Sequence, residues 1–175
     1  MKKPHITNNT GNNEWYTPQK YTQIAKDIMG SIDLDPASAP IANTNVKATK
    51  YYTAEQNGLL HPWKGNIWLN PPYARNLITK FTDKLIQELQ LNNIIQACIL
   101  VNNATETSWY QTIAKNATAI WFIKPRVHFL DKSGNPTSSP LQGQTFLYIG
   151  KNYQLLANHP IALSNGFIAT NIHAK

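Results

Sequence analysis

One cysteine, nine acidic residues and no long apolar run define what this chain does without. Cys98 by itself cannot form a disulfide within the chain or anchor a cysteine-rich metal site. It sits inside the apolar run 94–101, where a small core residue is the natural reading, since nothing near it in sequence would stabilise a thiolate. A reducing, cytoplasmic setting fits. The basic start, Met1-Lys2-Lys3-Pro4-His5, leads into Asn and Thr rather than an apolar segment. With no stretch near the ~20 apolar residues of a membrane helix, neither secretion nor a membrane partner is expected. His61 and His128 stand apart from any Cys or acid at metal-ligand spacing, so no metal is expected either. No feature of the sequence sets an oligomeric state.

What is present points to one packed domain. Charged residues make up 14% of the chain and hydrophobic ones 42%, a balance unlike that of disordered chains, and 175 residues suffice for one core. The domain is expected over residues 14–175, behind a polar, Asn-rich flexible arm over 1–13. Sixteen Lys and Arg give a net charge of +7, which suits a polyanionic partner and equally serves solubility.

Periodicity predicts the elements. Thr17 as N-cap and Pro18 at the first helical position open a helix whose apolar face is Tyr21, Ile24, Ala25 and Ile28, with Gly30 as its stop. A short strand follows over 32–35. Leu77, Ile78, Phe81, Leu85, Ile86 and Leu89 recur at helical spacing, predicting a helix over 76–91. The run 94–101 reads as a central parallel strand covered on both faces. Trp109, Tyr110, Ile113 and Ala114 mark another helix, 119–123 a strand, and 144–149 a late antiparallel strand; Trp109 itself reads as core. This alternation implies an α/β fold built on a single, mainly parallel sheet, with ligands beyond the carboxyl ends of the strands. Residues 131–141 form the longest evident loop, and the tail after Gly150 carries little pattern.

The sharpest feature is an apolar strand, 65–69, that ends in Asn70-Pro71-Pro72-Tyr73. A Pro-Pro pair can be simply a rigid turn. Placed after a strand, however, the prolines hold the backbone extended and remove two N–H donors, and Asn70 adds a side-chain oxygen beside their carbonyls. Such a pair of acceptors fits an amine with two hydrogens, and Tyr73 can stack on the planar ring that carries it. Adenine has that combination. Methyl transfer to this amine needs neither a cysteine nor a metal. Hydrogen bonds to Asn70 and to the Pro71 carbonyl would favour the pyramidal, nucleophilic form and stabilise its developing charge. Asp33 and Asp35, two of few acids, stand at the end of a predicted strand, where a carboxylate can bind an ammonium or ribose hydroxyls; Asp-Pro also simply starts turns.

These segments together resemble the small phage and prophage DNA N6-adenine methyltransferase family. The resemblance runs through Glu14-Trp15-Tyr16-Thr17-Pro18, Ile32-Asp33-Leu34-Asp35-Pro36-Ala37-Ser38, Gly58-Leu59 with Trp63, and Trp68-Leu69-Asn70-Pro71-Pro72-Tyr73. It implies a Rossmann-like S-adenosylmethionine-dependent methyltransferase fold, S-adenosylmethionine as cofactor, and double-stranded DNA as partner. Asn70, Pro71, Pro72 and Tyr73 would be the catalytic motif. Thr17, Pro18, Asp33, Asp35, Pro36 and Ser38 would lie at the cofactor. Where relatives with a glycine-rich cofactor loop have glycines, this chain has Ala37-Ser38-Ala39-Pro40. Phe129, in a segment similar to the family's Arg-x-x-Phe, is expected either in the pocket for a flipped base or in the core. Arg126, Arg75 and Lys50 are candidates for substrate contact, among basic residues that include Lys47, Lys64, Lys80, Lys124 and Lys132. Base readout is expected from 43–52 or 131–141. Cytosine N4, RNA adenine or a protein amide would fit the same acceptors, and a non-catalytic DNA-binding relative is the alternative of another class.

Overall fold

The structure, a computed structural model, describes residues 16–131, 133–137 and 142–171. The expected arm, together with Glu14, Trp15 and Lys132, lies outside them. In chain order the elements are α1 (Gln19–Met29), β1 (Leu34–Asp35), α2 (Pro40–Val46), β2 (Lys50–Tyr51), a 3-10 turn (Gly58–Leu60), β3 (Gly65–Leu69), α3 (Arg75–Gln90), β4 (Ile94–Asn102), α4 (Ser108–Asn116), β5 (Ala119–Ile123), β6 (Gln144–Ile149), α5 (Tyr153–Ala157), α6 (Pro160–Ser164) and β7 (Gly166–Thr170).

One seven-stranded sheet, in the order β2-β1-β3-β4-β6-β5-β7, forms the frame of this mixed α/β fold. Its first half is parallel: β1 pairs with β2 and β3, and β3 with β4. Its second half is antiparallel, because β6 runs between β4 and β5 against both, and β7 runs against β5. The expectation of one late antiparallel strand is therefore corrected to two. The tail that carried little pattern supplies the second, along with α5 and α6, whose five residues each are too few to show a period.

Alternation along the strands builds two cores. Trp68, Cys98, Leu100, Trp121, Phe146 and Tyr148 face one side and meet Tyr21, Ile24, Ala25 and Ile28 of α1. Ile67, Leu69, Ala97, Ile99, Val101 and Leu147 face the other and meet Ile78, Phe81 and Leu85 of α3 and Ile113 of α4. Cys98 is fully buried, and burial pushes its thiol well above the ordinary range, in keeping with a core residue.

The start of the first helix differs from expectation. Pro18, not Thr17, occupies the N-cap position of α1, and the helix has no side-chain cap. Thr17 stands one residue outside, with its side chain engaged elsewhere. At the far end Gly30 takes φ 82 and its N–H bonds the Lys26 carbonyl, as a helix stop requires. Residues 43–52, expected as a readout loop, form the end of α2 and the edge strand β2. Among the described residues no helix is long and apolar enough to cross a membrane.

Candidate active site

The direction of the strands fixes where a site can form. β5 runs against β6 and β6 against β4, so β5 points the same way as the four parallel strands. The carboxyl ends of β1 to β5 thus gather along one edge. Asn70 follows directly on β3 there, and Tyr73 sits three residues on, just before α3. The Tyr73 hydroxyl turns inward and donates to Asn70 Oδ1 at 2.8 Å, with the Leu100 carbonyl at 3.4 Å and Gln144 Oε1 at 3.3 Å. Burial pushes this phenol far above its ordinary value, so it stays protonated. On the other side, Asn70 Nδ2 donates to Thr17 Oγ1 at 3.1 Å.

Two further segments close around this pair. Tyr16 and Leu130 exchange both backbone hydrogen bonds, at 3.2 and 2.8 Å, forming an isolated antiparallel bridge between the start of α1 and the stretch after β5. The bridge sets Thr17 against Asn70. It also brings the buried Phe129 edge-on to Tyr73, with ring centroids 6.5 Å apart. Of the two expectations for Phe129, core and pocket, the structure shows the core one: the ring is buried and packs against Tyr73.

Beside Asn70 to Tyr73 opens a cavity of about 590 Å³, a size typical of small-molecule sites. Pro36, Ala37, Ser38, Ala39 and Pro40 line one part of it, Leu77, Lys80 and Phe81 of α3 another, and Thr53, Glu55, Asn57 and Gly58 a third. Gly58 has to be glycine: a Cβ there would collide with the Pro36 carbonyl. Trp63 Nε1 donates to the Gly58 carbonyl at 2.9 Å and pins the turn. The spacing of Gly58 and Trp63 is thereby explained as support for the Pro36 wall.

Asp35 lies behind that wall, 2% exposed, accepting the Ala37 N–H at 3.2 Å. Burial pushes its carboxyl up to about 7 against hydrogen bonding from Ser38 and Ala37. The Ser38 hydroxyl is near enough to favour the charged form, yet among the described residues it completes no hydrogen bond of good geometry. A half-neutral acid and an orphaned hydroxyl beside an open cavity fit a polar, cationic ligand group.

Other expected site residues fall elsewhere. Asp33 belongs to the amino-terminal end of the sheet, where its carboxylate accepts Ser31 Oγ at 2.9 Å and the Asn66 N–H at 2.8 Å; it does not line the cavity. Pro18 opens α1 and does not line it either. Lys50 begins the edge strand β2, exposed, with its ammonium over the Tyr52 ring at 4.9 Å. Arg126 is exposed on the stretch between β5 and Leu130. Arg75 opens α3, and its side chain lies outside the described atoms. Sequence reasoning missed Gln144 and Asn102, which bond to each other at 2.6 Å beneath Tyr73. A polar residue closing β4 and another opening β6, both otherwise largely apolar, were the available signal. It also missed Glu55 and Asn57, acidic and amide side chains a few residues past β2. Among the described residues no group of three His, Cys, Asp or Glu side chains is placed to hold a metal ion.

The sequence profile described as DNA N-6-adenine-methyltransferase (Dam) matches residues 5–163, which takes in every segment that builds this site. The chain belongs to that family. A relative, the DNA N-6-adenine-methyltransferase of Escherichia phage T1, is 33% identical over 112 residues. That match covers 63% of this chain and 44% of the phage protein, so the chain matches less than half the length of this relative. The Dam profile ends before β7.

Proposed function

We propose that the chain is an S-adenosylmethionine-dependent DNA methyltransferase acting on the N6 amine of a flipped adenine. The observation that carries the reading is the pairing of Asn70 with Tyr73 in the lining of the cavity beside Pro36 to Pro40, with Phe129, from a separate segment, packed edge-on behind Tyr73. We read the fold as Rossmann-like, with the cofactor where such sheets bind nucleotides, outside the carboxyl ends of the parallel strands.

The cavity is large enough for a nucleoside joined to an amino acid, and its chemistry fits one. Pro36 and Phe81 offer apolar walls for a base. Glu55 and Asn57, beyond β2, suit ribose hydroxyls. Asp35, poised near neutrality, and Ser38 suit an ammonium. When bound, the cofactor supplies an electrophilic sulfonium methyl.

The residues of the chain supply position and polarity. Asn70 Oδ1 and the Pro71 carbonyl accept the two amine hydrogens. They thereby draw the nitrogen lone pair out of conjugation with the ring and stabilise the positive charge that develops as the new bond forms. Tyr73 and Phe129 present ring surface to the extruded base and offset part of its unstacking cost of a few kcal/mol. Arg126 and the neighbouring Lys124, exposed at the same edge, suit phosphate contact.

The test is transfer of labelled methyl to unmethylated duplex DNA, followed by nucleoside analysis. N6-methyladenine is expected. N4-methylcytosine would move the target and keep the mechanism; cofactor binding with no transfer to any DNA would overturn the substrate assignment. Asn70→Ala is expected to abolish transfer while fold and cofactor affinity persist.

A further inference from the structure

We infer that Thr17 is a positioning residue for the reaction, its hydroxyl holding the Asn70 amide so that the carbonyl oxygen faces the target side. This rests on the reading of Asn70 as acceptor for the target amine. The two ends of a primary amide are nearly equal in size and opposite in chemistry: the oxygen accepts an amine hydrogen, whereas the NH2 opposes one. An asparagine at this position therefore works only if something fixes its rotation. Thr17 Oγ1 takes the Asn70 NH2 at 3.1 Å, which sets Oδ1 at the opposite end, where it accepts the Tyr73 hydroxyl at 2.8 Å between two residues that both line the cavity.

Thr17 is itself firmly held. It is 4% exposed. The Tyr16–Leu130 bridge precedes it, α1 starts at once after Pro18, and its carbonyl receives Asn45 Nδ2 at 3.5 Å. One residue outside the Pro18 N-cap, the Thr17 hydroxyl takes no part in capping α1 and is engaged with Asn70.

Three variants test this: Thr17→Val, which keeps the shape and removes the hydroxyl, Thr17→Ser, which restores it, and Asn70→Ala. With Thr17→Val, kcat is expected to fall about tenfold, the effect of one lost hydrogen bond, while the Kd for S-adenosylmethionine stays within about twofold. Thr17→Ser is expected to recover most of the rate. A readout independent of turnover is the Asn70 side-chain NH2 resonance in a nitrogen–proton spectrum, assigned by its absence from Asn70→Ala. One of its protons is expected to shift in Thr17→Val and to keep its position in Thr17→Ser. An unmoved resonance, or a weakened cofactor Kd with kcat intact, overturns the inference; the latter makes Thr17 a cofactor contact. Full activity of Asn70→Ala overturns the reading of Asn70 itself, whereas an inactive Asn70→Ala beside a fully active Thr17→Val overturns Thr17 alone.

Discussion

Burial pushes the Asp35 carboxyl up to about 7, and the folded protein therefore holds a proton that the unfolded chain releases near pH 4. Stability contributed at this residue is full below about pH 4, falls as pH rises toward 7, and levels off above it. The span corresponds to a few kcal/mol on the order-of-magnitude scale of linkage. Asp35→Asn is expected to flatten this slope in urea melts at pH 5 and pH 8, to raise stability at pH 8, and to weaken cofactor binding, because the charge is then gone from behind the cavity wall. Unchanged cofactor affinity would remove Asp35 from the site. At Tyr73 the ring and the hydroxyl separate cleanly. Tyr73→Phe is expected to keep the KM for DNA within a few-fold. Tyr73→Ala, losing a stacking surface worth roughly 1–3 kcal/mol, is expected to raise it tenfold or more. Asn70 was legible from sequence because its two prolines mark it. The contact of Asn70 with Thr17 was not, since the two lie 53 positions apart and a Thr-Pro pair looks locally like any helix start.

The elements that announced themselves were those with enough length to repeat. The helix expected over 76–91 is α3, Arg75–Gln90, and the strands over 119–123 and 144–149 fall on β5 and β6. α2, with seven residues and the polar sequence PIANTNV, buries only Val46 and so leaves no periodic trace. β2, of two residues, exists through its pairing alone, whereas β1, equally short, falls within the strand expected over 32–35. The 3-10 turn at Gly58–Leu60 shows how one such short element governs a larger one, for it braces Pro36 and with it the cavity wall. Gly58→Ala drives a methyl group into the Pro36 carbonyl and is expected to destabilise the fold by about 1–3 kcal/mol, with cofactor affinity lowered at least tenfold. Calorimetric titration beside a thermal melt measures both. A fall in melting temperature with affinity intact would separate the turn from the site.

For the molecule as a whole, the alternation of elements gave a single sheet and the antiparallel strand over 144–149, which is β6, but not the second reversed strand, β7, which lies in the tail that carried little pattern. The net charge of +7 has its own test. If it serves DNA, the KM for DNA is expected to rise steeply with salt while cofactor affinity stays flat. Parallel responses of the two would reduce the charge to solubility. The Tyr16–Leu130 bridge joins the first described residue to one 114 positions later, outside the sheet and at the one place where Thr17 and Phe129 are both set. Its two amide protons are thus a built-in clock for site assembly. In deuterated solvent they are expected to exchange together, faster than the amides of β4, and to slow together when cofactor is added.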